Sequence, residues 1–275
     1  MVTPRREKSS QILSVQKAVA LLRLFSEQQP ELSLAKMAEQ LGLPKTTVYG
    51  LVKTLEECQF LQRDRGSVNY RLGVLALKLG YLARLNNDLA QRALPFLENL
   101  LDETQQIVYL AVPHDGLVLY IEALYPPRRR IRYSVVGRTT YMHATALGKA
   151  MLSQMSPSEI EAIIQQHGLP AFTNRTITDK EALLEEIKIS RERGYAVDMR
   201  ESDPMIACVA VPFRTISGEL GGAISISGPY QLFTPAMIDD YVQKLVHACS
   251  ILSRQIETPL FHSGRARDVE YRVGI

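Results

Sequence analysis

The chain has only three cysteines in 275 residues, Cys58, Cys208 and Cys249, an odd number at wide spacing that argues against a disulfide framework. No apolar run approaches the roughly 18 residues needed to span a bilayer. His and Cys never cluster at the close spacing of a metal site, and no cofactor is expected. Charges near the N-terminus, Arg5, Arg6, Glu7 and Lys8, have no hydrophobic stretch behind them, which is not the pattern of a secretory signal. No strand-like pair carries the interleaved aromatics that stack on single-stranded bases, which sets RNA aside. Repeats and low-complexity tracts are lacking as well. These absences lead to the expectation of a soluble cytoplasmic protein without membrane contact, opening with a disordered basic arm over residues 1–11.

What is present is apolar substance, 46% of the chain, enough for a sizeable core. The length predicts more than one domain. Charge is unevenly divided. Residues 1–72 hold 11 Lys+Arg against 7 Asp+Glu, whereas the remainder holds 21 against 22, so the basic excess sits wholly at the N-terminal end.

That end carries the most informative stretch, residues 33–49. Leu34, Met37, Ala38 and Leu41 recur at helical steps and predict one buried stripe. Gly42 suits a left-handed helix stop, and Pro44 suits the first turn of the next helix. Val48, Leu51, Val52 and Leu55 form the inner stripe of that second helix. Lys45, Thr46, Thr47, Tyr49 and Lys53 are left on its other faces, as in a helix-turn-helix that offers a recognition helix to the major groove of double-stranded DNA. A first helix is expected around Val15, Ala18, Val19, Leu22 and Phe25. Two short strands around a turn at 65–67 predict a basic hairpin, with Arg63, Arg65 and Arg71 placed to meet phosphates. The whole, 12–72, reads as a winged helix-turn-helix.

A linker helix is expected over 73–90. Its stripe of Leu75, Leu79, Leu82 and Leu85 needs cover, and a second copy of the chain is the simplest candidate. A homodimer also matches the two half-sites of a palindromic operator. The helical pattern is expected to break near Asn86-Asn87 and again before Pro95. From residue 107 the periodicity switches to strands, at 107–112 and 117–122 around a turn at 113–116, then at 131–136, 207–212 and 222–227. Helices are expected at 144–153, 157–167, 179–193 and 235–256, and a flexible tail at 257–275. The fold class is thus α+β, with a second domain at 91–256 built as an antiparallel sheet flanked by helices.

Three segments in this order resemble the hallmarks of the IclR family of bacterial transcriptional regulators: His143 to Ala150, Gly194 to Glu201 followed by Cys208 to Pro212, and Gly221 to Pro229. The resemblance spans roughly residues 12–255. It implies a winged helix-turn-helix, a linker helix and a C-terminal domain similar to the GAF fold that binds a small-molecule effector. It also implies homodimers, often paired into tetramers on DNA, with repression as the default sign and no catalytic residues. Ala146, Leu147, Asp198, Cys208, Ser225 and Ser227 match the family's effector-binding positions.

The residues themselves fit a pocket. Thr145 suits the N-cap of a helix through Gly148-Lys149-Ala150, whose free amides favour an anion, and the effector is expected to be a small organic acid. Ser225 and Ser227 alternate with Ile224 and Ile226, so both hydroxyls share a face. Asp198 demands partners in an apolar core, and ionised it would repel a carboxylate. Cys208 reads equally as a small buried hydrophobe; Cys58 and Cys249 read as core. The alternative is a metabolite-binding protein or enzyme using Cys208 with His143, the N-terminal domain being an interaction module. Two positions depart from the family pattern. Gly50 stands where a basic residue is common, and Met205, where glycine is usual, is expected to narrow the pocket.

Overall fold

The computed structural model describes residues 12–63, 66–127 and 134–260. The chain forms two compact units, one ending at Asn86 and the other beginning at Asn87. The basic arm, Arg65, the Arg128-Arg129-Arg130 run and most of the tail lie outside the described residues.

The first unit holds helices α1 (Leu13–Leu22), α2 (Leu34–Leu41), α3 (Lys45–Glu57) and α4 (Val74–Leu85), with strands β1 (Leu32–Ser33), β2 (Leu61–Gln62) and β3 (Asn69–Leu72). Helix α2 begins where the Ser33 hydroxyl accepts the Lys36 amide at 3.3 Å. It ends at Gly42, whose φ of +62° is the left-handed stop only glycine adopts without strain. Pro44 precedes α3 as its N-cap. Leu21, Leu32, Met37, Val48, Val52, Leu55, Leu61 and Tyr70 close one small core. The three strands form a sheet in the order β1-β3-β2, with Leu61 opposite Leu72 and Leu32 opposite Tyr70. Strand β1 escapes sequence reading because two residues show no alternation. Cys58, expected in the core, is exposed just past the end of α3. No side chain of α4 is buried; Leu77, Leu79, Leu82 and Leu85 are all exposed.

The second unit starts with α5 (Asp88–Thr104), then β4 (Ile107–His114), β5 (Leu117–Leu124), β6 (Thr139–Tyr141), α6 (Ala146–Leu152), α7 (Pro157–His167), α8 (Lys180–Arg193), β7 (Ala196–Met199), β8 (Ile206–Arg214), β9 (Leu220–Pro229) and α9 (Pro235–Leu252). The expected break before Pro95 does not occur. Helix α5 runs through Pro95, held by Leu89, Ala93, Leu97 and Leu100, which are buried in the main core. The strand expected at 131–136 is not seen at 134–136, and 131–133 lie outside the described residues; the edge strand is β6 instead.

The six strands are antiparallel in the order β6-β5-β4-β9-β8-β7. Alternation sorts their side chains between two cores. Val108, Leu110, Val112, Val209, Val211, Ile224 and Ile226 face α5 and α9. Ala111, Ala196, Ala210 and Ala223 belong to the other core, with α6 and α8. Small residues on that second face let α6 approach the sheet, and there the site forms.

Candidate effector cavity and nucleic-acid interface

Strand register assembles the cavity. One row crosses four strands, pairing Ile107 with Ser227, Ser227 with Cys208 and Cys208 with Asp198. The next row pairs Tyr109 with Ser225 and Ser225 with Ala210. Residues directly opposite in antiparallel strands share a face, so four well-separated stretches of sequence present polar groups on one surface. Tyr120 of β5 adds a second ring, 5.2 Å from that of Tyr109 and edge-on to it.

Helix α6 forms the facing wall. Thr145 caps it, its hydroxyl accepting the Gly148 amide at 3.1 Å. A Cβ at Gly148 would stand 2.2 Å from the Met142 carbonyl oxygen, so glycine alone permits this close turn. The turn sets Ala146 and Leu147 against the cavity, whose volume is about 240 Å³. Ile107, Tyr109, Tyr120, Thr145, Ala146, Leu147, Asp198, Ser202, Asp203, Ile206, Cys208, Ser225 and Ser227 line it.

The structure therefore brings together Ala146, Leu147, Asp198, Cys208, Ser225 and Ser227. It does not bring Met205, whose side chain is 58% exposed and outside the lining; Ile206 takes that place. The Met205 amide donates to Asp203 Oδ1 at 2.8 Å.

Asp198 is fully buried. Its Oδ1 accepts the Glu201 amide at 2.6 Å and its Oδ2 accepts the Ser202 hydroxyl at 2.5 Å. Burial lifts its carboxyl above the ordinary range, and those two donors and Lys149 offset the rise only in part. The Cys208 thiol donates to Ser227 Oγ at 3.1 Å, and burial together with the Asp198 charge pushes its pKa up. That is the opposite of what a nucleophilic thiolate requires. His143 does not join it. The ring Nε2 of His143 lies 3.0 Å from the Pro170 carbonyl, among Tyr141 and Phe172, and burial lowers its pKa. Among the described residues no cluster of three or more His, Cys, Asp or Glu side chains is placed to hold a metal ion.

An ion-pair chain runs from the buried Lys149 and Glu201 to the half-buried Glu186 and Arg193. Lys149 Nζ sits 2.6 Å from Glu201 Oε1 and 3.6 Å from Glu186, which in turn meets Arg193 at 3.0 Å. Thr173 and Thr176 donate to the Arg200 and Glu201 carbonyls, each at 2.7 Å, fixing the loop that caps Asp198. Two buried oxygens, Glu201 Oε2 and Ser225 Oγ, have no partner among the described residues. Sequence reasoning missed this chain. The signal was a lysine inside Ala-Leu-Gly-Lys-Ala-Met-Leu, a helix with no polar face, where a cation must be buried and must find a carboxylate. It also missed Tyr109 and Tyr120, which only strand register places here.

In the first unit, α3 separates its faces cleanly. Val48, Val52 and Leu55 are buried on one side. Thr46, Tyr49, Gly50 and Lys53, at steps of three and four, are exposed on the opposite side, with Lys45 and the half-buried Thr47 flanking them. Lys53 pairs loosely with Glu57 at 4.0 Å. Arg63 lies over the Tyr70 ring at 5.4 Å, and Arg71 stands exposed on β3.

Two family descriptions match the chain: the IclR helix-turn-helix domain over residues 14–65 and the bacterial transcriptional regulator IclR C-terminal domain over residues 81–254. The chain belongs to the IclR family. It is similar to the HTH-type transcriptional regulator XynR of Escherichia coli, 31% identical across 90% of this chain and 98% of that protein. It is also similar to the HTH-type transcriptional regulator KipR of Bacillus subtilis, 33% identical across 88% and 96%. Among solved structures, an IclR-type transcriptional regulator from Alicyclobacillus acidocaldarius aligns with a TM-score of 0.74 at 29% identity, covering 88% of this chain and 98% of that one. The molecule is therefore an IclR-type transcriptional regulator, with a helix-turn-helix and a metabolite-sensing C-terminal domain. Among the described residues no helix is long and apolar enough to cross a membrane.

Proposed function

We propose that this IclR-type regulator is a repressor that binds a palindromic operator as a homodimer, paired into tetramers on DNA, and that occupancy of the 240 Å³ cavity tunes that binding. The observation that carries the reading is the split surface of α3, with Val48, Val52 and Leu55 inward and Thr46, Tyr49 and Lys53 outward. Lys45, Thr46, Thr47, Tyr49 and Lys53 read base edges and adjacent phosphates. Arg63, Arg65 and Arg71 meet the backbone beside them. Dimerisation is supported by the uncovered apolar side chains of α4, since large exposed apolar surface is costly on a monomer.

Ala146, Leu147, Asp198, Cys208, Ser225 and Ser227 hold the effector. Binding there shifts the balance between conformers of different operator affinity. A hydrolase built on Cys208 has no support in the geometry, because the thiol pairs with Ser227 and His143 is turned to Pro170.

The test is capture of sheared genomic DNA, from cells carrying the gene, by the purified full chain at near-physiological salt. A few sharp peaks sharing a palindrome are expected. Uniform recovery, with and without a metabolite extract, would refute operator recognition.

A further inference from the structure

We infer that Gly73 is a positioning residue for operator recognition: it seats the start of α4 on the end of α3, so that the two helices turn as one body. This rests on reading α3 as the DNA-contacting helix of a dimer joined through α4. Helix α3 closes with the Cys58 amide donating to the Thr54 carbonyl at 2.9 Å and the Phe60 amide donating to the Leu55 carbonyl at 2.8 Å. Gln59 between them takes a φ of +62°. The same turn then receives α4. The Phe60 carbonyl accepts the Gly73 amide at 2.7 Å, and the Gln59 carbonyl accepts the Leu75 amide at 3.1 Å. Leu75 lies in the first turn of α4, where an amide has no partner within its own helix.

Only glycine permits this joint. A Cβ at position 73 would stand 2.2 Å from the Gln59 carbonyl oxygen and 3.1 Å from that of Leu61. Both are backbone atoms, and Leu61 is held in register opposite Leu72, so neither swings aside as a side chain would. The φ of Gly73 is −90°, so the requirement is for space and not for a left-handed conformation. Alanine there forces the two segments apart by about 1 Å. No side chain of α4 is buried, which leaves the joint as the main tie between this helix and the core of its unit. The 12 residues of α4 extend about 18 Å, so a small change of angle at the joint grows along the helix. In a dimer held through α4, the joint sets the distance and angle between the two α3 helices, and with them the half-site spacing that is accepted.

The experiment measures the affinity of the full chain for three DNAs: the captured operator, the same operator with one base pair added or removed between its half-sites, and a single half-site. Wild type should lose about tenfold on each altered spacer, because a rigid dimer cannot follow a half-site that has been displaced and rotated. Gly73→Ala should keep wild-type affinity for the single half-site, yet discriminate less than about threefold among the spacers. Gly80→Ala is the control, since it lies in α4 where a Cβ meets nothing within 4 Å, and its spacer preference should match wild type. Three results overturn the inference: a wild type indifferent to spacing, a Gly73→Ala chain that keeps the wild-type preference or loses equally on every DNA, and a spacer change shared by Gly80→Ala. Amide exchange on the wild-type chain needs neither DNA nor a folded variant. The Gly73 and Leu75 amides should be protected as strongly as those of α3, and exchange at the rate of an open chain overturns the joint. If genomic capture yields no palindrome, the operator reading falls, and positioning for it falls too, while the exchange rates still decide whether α3 and α4 are joined.

Discussion

The two units use charge in opposite ways. In the first, Lys45, Lys53, Arg63 and Arg71 stand on exposed surface, where hydration offsets their cost and salt screens their reach. In the second, Lys149 is 1% exposed and locked between Glu201 and Glu186, so its charge organises the interior rather than meeting a partner. Surface cations beside an amphipathic helix suit a polyanion whose shape is fixed in advance. A neutralised interior suits a fixed framework. Mutating one of these cations should therefore act on binding in the first unit and on folding in the second, and the predictions below test that contrast.

The largest effect belongs to Lys149. Replacing it by methionine keeps most of the volume but leaves the buried Glu201 without its cation, while Glu186 keeps Arg193 at 3.0 Å. Removing one partner of a buried pair costs about 3–5 kcal/mol. Urea unfolding should show that loss, and Glu201→Gln in the same chain should restore part of it. A loss below about 1 kcal/mol, the level of a surface pair, would mean that the chain of ion pairs is solvated, and the contrast would fail.

Next come the DNA contacts, where folding should be unchanged. Thr47→Ala should cost about 1–3 kcal/mol of discrimination between operator and random DNA, whereas Arg71→Ala should weaken both alike and lower the salt slope by about 1. Equal losses on both DNAs for Thr47→Ala would withdraw direct readout from that residue.

A smaller effect is expected from acid. Burial raises the Asp198 carboxyl above its unfolded value. The folded state therefore takes up a proton before the unfolded state does, and stability gains as pH falls from the folded pKa toward the unfolded one. Above that window the ionised side chain is a standing cost. Relative to Asp198→Asn, the wild type should gain unfolding free energy between neutral and mildly acid pH. A difference that stays flat with pH would show Asp198 to be as well solvated as the exposed charges of the first unit.

How much could be read in advance follows the same division. The helix-turn-helix was legible because its signals are local: Gly42 as stop, Pro44 at the entry to the next helix, and apolar steps of three and four through Val48, Val52 and Leu55. In the second unit the hairpin of β4 and β5 and most of the helices were legible from periodicity. The cavity residues were assigned by family resemblance, because pairing Asp198 with Cys208, Ser227 and Ile107 depends on a register that no single segment encodes. Pro95 misled because tertiary packing of α5 outweighs one missing amide. Met205 misled for a related reason: proximity to Cys208 in sequence does not fix the direction of a side chain just before a strand.

The smallest expected effect is also the sharpest probe of the first unit. Gly50 lies within α3 on the outward face, and a Cβ placed there meets nothing within 4 Å. The Thr54 hydroxyl already donates to its carbonyl at 2.9 Å, so the helix is formed through this point despite the glycine. Gly50→Ala should then raise stability by about 0.5–1 kcal/mol through the backbone entropy of the unfolded chain. Gly50→Arg should give a similar gain and, in addition, tighten binding to any DNA with a steeper salt slope. If alanine stabilises but arginine leaves DNA affinity unchanged, the outward face of α3 does not approach phosphate, and the docking of this helix must be redrawn. If both variants destabilise, Gly50 is fitted to a close neighbour, and a second copy of the chain is the candidate for it.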